Sequence, residues 1–198
     1  MTTKKELIEQ SNLAFDFIQK LYLEVSYLIK EIEANLNDEV EEFVIGKPGG
    51  YGINSKRSAG LESNLVKLWL LRKFAVFFVP QESTEKKGGQ LITPINKDLK
   101  VIYLRFKLNG PDIKEPEVIM GVLHDIETKN KWGKFEFLMG FFEYKDDKVF
   151  KDINNIQYED AAVSLKGKLH KVNLFDLNDS KAIKSKLVDP ALVFYRKV

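Results

Sequence analysis

Residues 7–36 read LIEQSNLAFDFIQKLYLEVSYLIKEIEANL, and the spacing of their apolar side chains decides the fold. Leu7, Ala14, Ile18, Leu21, Val25, Leu28 and Ile32 fall in alternating steps of three and four, apart from one longer gap. That repeat places them on one face of an α-helix. A second stripe, Leu13, Phe17, Tyr22, Ile29 and Leu36, widens the apolar surface past half the circumference. Thr2 or Thr3 with Glu6 behind it reads as a capping box, and the helix is expected to run to about Asn35 or Asn37. Its length is about 50 Å, more than the width of a small domain. One sheet face is too small to cover it, so part of the helix is expected to pack against another subunit.

Near residue 38 the apolar period changes from helical to strand-like, with runs rich in Val, Ile, Phe and Tyr. The expected fold is therefore α+β: a long N-terminal helix packed on a largely antiparallel sheet of about six to eight strands. A single domain over 1–198 is expected, with the helix in 1–38 and mostly strands in 39–198. Strands are predicted at Val40–Ile45, at Phe74–Val79 ended by Pro80, and at Lys100–Leu108. In the last of these Ile102, Leu104, Phe106 and Leu108 share one face, and Tyr103, Arg105 and Lys107 the other.

Val118–Glu127 and Lys134–Tyr144 read as a hairpin that sets Gly121 opposite Gly140, leaving a gap for a helix or a ligand. Ala162–Phe175 reads as an edge strand because of its lysines. Residues 81–97 and 154–160 read as loops, 180–187 as a short helix, and Leu192–Tyr195, after Pro190, as a last strand.

Composition narrows the chemistry. The chain has no cysteine, which removes disulfides, thiolate metal sites and cysteine nucleophiles and fits a reducing compartment. No stretch is apolar enough to span a bilayer, and the N-terminus leads into an amphipathic helix rather than a signal peptide, so a cytoplasmic protein is expected. A net charge of +2 means that any polyanion must be held by a local patch. One such patch lies in 47–73, where Lys47, Lys56, Arg57 and Arg72 accompany Tyr51 and Trp69. Cations neutralise phosphates and aromatic rings stack on bases, so this segment is the candidate surface for a nucleic acid or a phosphorylated ligand. The glycine run at 46–52 matches neither the P-loop nor the dinucleotide pattern. A second basic cluster comprises Lys166, Lys168, Lys171, Lys181, Lys184 and Lys186.

Pro111-Asp112 followed by Glu127-Thr128-Lys129 matches the PD-(D/E)xK spacing of metal-dependent nucleases. There Asp112 and Glu127 would hold a divalent metal and Lys129 would orient the attacking water. Acid-x-Lys triplets recur throughout this chain, however, and another strand is expected where that core wants a helix. The two histidines are far apart: His124 is expected in the core or at a sheet edge, near the Gly121–Gly140 gap, and His170 exposed on an edge strand. The sequence therefore points to a non-catalytic binding or regulatory module, homodimeric through its long helix and without a cofactor. The alternative is a nucleic-acid-binding protein or nuclease using 47–73.

Overall fold

A computed structural model describes residues 3–38, 43–45, 73–87, 90–110, 113–129, 151–161 and 163–198. The helix α1 spans Lys4–Asn37 without a break. Its start is the expected capping box: the Thr3 hydroxyl accepts from the Glu6 amide at 3.3 Å, and the Thr3 amide donates to the Glu6 carboxylate at 2.6 Å. At the other end the Asn37 side chain accepts from the Phe43 amide at 2.7 Å, tying the helix to strand β1 (Phe43–Ile45).

Only the last third of α1 carries buried residues, with Leu21 and Tyr22 just before it partly buried against the same cluster. Val25, Leu28, Ile29, Ile32 and Leu36 are buried, and each such burial contributes about 1.5–3 kcal/mol. From Lys4 to Glu24 no residue is buried.

The main sheet is antiparallel, in the order β1-β2-β5-β6-β8-β7. Its members are β2 (Lys73–Pro80), β5 (Val101–Lys107), β6 (Glu117–Thr128), β7 (Ile156–Glu159) and β8 (Val163–Asn173), with β1 beside β2. Among the described residues it thus has five strands of four residues or more, and reaches six only through the three-residue β1. Segment 81–97 is not a plain loop, since β3 (Glu85–Lys87) and β4 (Gln90–Ile92) pair within it as a separate two-stranded sheet. Segment 154–160 likewise contains β7, held against the first half of β8.

Both sheet faces are buried. Ile102, Leu104 and Phe106 join Val118, Met120 and Val122 under the root of α1 and the C-terminal helix. On the opposite face Tyr103 packs with Phe77, Val79, Ile119, Leu123, Leu165 and Leu169. The face of β5 that carries Tyr103 and Arg105 is therefore core as well. Arg105 is only 1% exposed there, and its Nη1 donates to the Tyr103 hydroxyl at 3.1 Å.

Gly121 corrects the predicted hairpin. It stands between Tyr103 of β5 and Leu169 of β8, so both ladder edges of β6 are occupied and the register with Gly140 does not form there. Gly140 lies outside the described residues. A Cβ on Gly121 would come within 2.1 Å of the Lys168 carbonyl oxygen, so the missing side chain admits a neighbouring backbone. Strand β8 in turn is no simple edge, because Ser164–Gly167 lies between β6 and β7. Its lysines fall on alternate positions: Lys166 and Lys168 are exposed while Leu165, Gly167 and Leu169 are buried.

The chain ends in a helix rather than a strand. Ser180–Ile183 is α-helical, Lys184–Val188 widens to a π turn, and Asp189–Tyr195 is α-helical again; together these form α2. Asp179 caps it by accepting from the Ala182 amide at 2.6 Å. Pro190 has no N–H and would clash with the carbonyl of a regular preceding turn, and the π turn relieves that clash. The Lys186 carbonyl, deprived of its donor at residue 190, accepts instead from His170 Nε2 at 2.9 Å. His170 is thus half-buried and engaged, not a bystander on an edge.

Candidate functional site: the projecting helix and the groove at its root

The apolar stripe that buries Val25–Leu36 continues toward the start of α1, where its residues from Leu7 to Phe17 are not covered by any of the described residues. Leu7, Ile8, Leu13, Phe15 and Phe17 are each more than half exposed. Placed on a heptad, Leu7, Ser11, Ala14, Ile18, Leu21, Val25, Leu28 and Ile32 form the a/d seam. Ile8, Phe15, Tyr22 and Ile29 flank it at seven-residue intervals. A reading by steps of three and four passes over Ile8 and Phe15, although their own period of seven is the signal that finds them. Single exposed apolar residues are ordinary, but a contiguous apolar face on a helix projecting from its domain marks an interaction surface.

Where α1 meets the body, a groove of about 670 Å³ opens between the helix and residues 174–183. Phe17, Leu21 and Tyr27 form one wall, and Phe175, Leu177 and Ile183 the other. The short helical turn Leu174–Asp176 brings Phe175 there, because the Asn173 side chain accepts from the Phe175 amide at 2.9 Å. Phe175 remains 63% exposed. Glu31 fixes the groove's end: its carboxylate accepts from Ser180 Oγ and from Asn35 Nδ2.

A second cleft, about 420 Å³, lies between β8 and α2 and is lined by Lys168, His170, Ser185, Asp189, Phe194 and the backbone of Gly121. Burial holds the His170 imidazole below its ordinary pKa, against the opposing effect of the Lys186 carbonyl. With Nε2 donating to that carbonyl, the ring serves the fold at the π turn. The exposed Ser185 hydroxyl is engaged as well, donating to the Lys181 carbonyl at 2.8 Å.

Of the remaining predicted residues, those that the structure describes have separate partners. Glu127 pairs with Lys97 at 3.1 Å, and Lys129 pairs with Glu159. Asp112 lies outside the described residues, as do Lys47, Tyr51, Lys56, Arg57, Trp69 and Arg72. His124 packs edge-on against Phe194, with ring centroids 6.0 Å apart. Beside it Asp125 takes a positive φ of 50° at a β-bulge and accepts from Lys166 Nζ at 2.9 Å. That ion pair keeps the Asp125 carboxyl below its usual range. In the second basic cluster Lys166, Lys171 and Lys186 are engaged by Asp125, Glu117 and the Asp176 carbonyl. Among the described residues no group of three His, Asp or Glu side chains is placed to hold a metal ion, and no helix is long and apolar enough to cross a membrane.

No protein-family model, no curated protein and no solved structure matches this chain.

Proposed function

We propose that this protein is a non-catalytic binding or regulatory module that self-associates through the projecting part of α1. One observation carries the reading: the same apolar stripe is buried from Val25 onward and uncovered from Leu7 to Phe17. A second copy supplies a matching stripe, and pairing them removes both from water at about 25 cal/mol per Å² of apolar surface. The histidine and carboxylate pairs described above have structural partners, which favours association over chemistry.

Light scattering after size exclusion tests this directly. The wild-type chain is expected to run as a dimer, and Phe15→Glu/Ile18→Glu as a folded monomer. Placing two carboxylates in the seam should weaken association at least ~100-fold. A wild-type chain that stays monomeric at about 100 μM would sink the proposal.

A further inference from the structure

We infer that the second copy lies antiparallel on α1, with its first two turns against the groove between α1 and residues 174–183. This rests on the self-association proposed above and adds its geometry. From Val25 onward the stripe is covered by the chain's own body, chiefly α2 and the sheet residues beneath it. In a parallel two-fold pair each residue of α1 would face its own counterpart. Residues 25–36 of the second copy would then need the space that α2 already fills.

An antiparallel pair has no such conflict. Matching a to d layers sets Leu7 opposite Ile18 and Ser11 opposite Ala14. The second helix then begins level with Leu21 and Tyr22, just short of the body, and its own body lies beyond the start of the first helix. The small residues Ser11 and Ala14 fall at the centre, where they let the helices approach closely. The large ones, Leu7, Ile8, Phe15 and Ile18, lie to either side.

The groove sits where the incoming helix ends. Leu7 and Ile8 of the second copy come level with Phe17 and Ile18, at the mouth formed with Phe175 and Leu177. A pocket of about 670 Å³ has room for such side chains. Two-fold symmetry repeats the contact at the other end, and the pairing buries on the order of 1,000 Å² in total, the least that a biological interface should clear and the size of a weak, concentration-dependent one. A second copy fits this surface in length, in layer pattern and in the position of its end.

The chain lacks cysteine, so single introduced thiols report proximity without background. Leu7→Cys and Ile18→Cys, mixed and oxidised, are expected to give covalent dimers at the share set by random pairing. Leu7→Cys mixed with Phe175→Cys should do the same. Each variant alone should give few, because an antiparallel pair holds identical residues at positions 7 or 18 roughly 16 Å apart along the axis. Self-cross-linking of each variant alone, or a light-scattering dimer without mixed products, would overturn the antiparallel placement and leave self-association standing. A monomer by light scattering would overturn both.

Discussion

Among the described glycines in the sheet, Gly121 leaves the least room for a side chain. A methyl group added there would meet the Lys168 carbonyl oxygen at 2.1 Å and the Leu169 Cα at 2.7 Å, both rigid parts of β8. Gly121→Ala must therefore push β6 and β8 apart in the middle of the sheet, at an expected cost of about 3 kcal/mol or more. Gly110→Ala is the matched control. Its nearest neighbour is the flexible tip of Ile113 at 3.0 Å, so a change within about 1 kcal/mol is expected. Denaturant titration of the two variants checks the difference. His170 makes a second residue-scale prediction, this one in pH. Its folded-state pKa lies below the ordinary value of 6.5, so the unfolded chain takes up a proton first as the solution is acidified. The stabilising contribution is complete above pH 6.5 and is lost as pH falls from there through the folded-state pKa. Lys168, Lys197 and Asp189 line the same cleft as His170. His170→Gln retains a donor for the Lys186 carbonyl and cannot titrate, so its melting temperature should fall less between about pH 7.5 and about pH 5.5 than that of the wild type.

At the level of elements, what could be read from sequence divides by the range of the information. Helix α1 was legible because its repeat is local and long, from the capping pair Thr3 and Glu6 to Leu36. Strand β5 was legible because Ile102, Leu104 and Phe106 alternate strictly. The burial of its second face was not legible, since nothing local to Tyr103 and Arg105 announces the cluster that covers them. The register of β6 was not legible because its partner β8 lies some forty residues on, and nothing local distinguishes that pairing from a hairpin. Helix α2 was misread at Pro190. Val188, Ala191, Leu192 and Tyr195 follow helical spacing, and all four are buried, but a proline in the middle argues for a break. The His170 contact that makes the proline tolerable comes from another element. The cap of α2 depends on local residues alone, so Asp179→Ala is expected to cost about 1 kcal/mol in thermal or denaturant unfolding. The change should also loosen the groove wall at Ser180 and Ile183 without altering the sheet.

At the level of the whole molecule, α1 is one helix with two energetic regimes. Residues 25–36 share the stability of the core, since opening them exposes Val25, Leu28, Ile29, Ile32 and Leu36 together. Residues 4–24 are held by the capping box, by continuity with the root and by whatever covers their apolar face. A stretch of about twenty residues is marginal as an isolated helix in water, so in a lone chain its amides should exchange through local fraying. Association couples that local equilibrium to concentration, because ordering the projecting half and burying its stripe become a single event. Hydrogen exchange measured well below and well above the dissociation constant should therefore differ between the two regimes. The amides of residues 8–20 are expected to slow at least ~10-fold on raising the concentration, while those of 28–36 stay unchanged. Phe15→Glu/Ile18→Glu should resemble the dilute wild type at both concentrations. Uniform slowing along all of α1 would mean that association stabilises the whole fold rather than the projecting half. No slowing at residues 8–20 would place the interface elsewhere and leave the stripe from Leu7 to Phe17 without its partner.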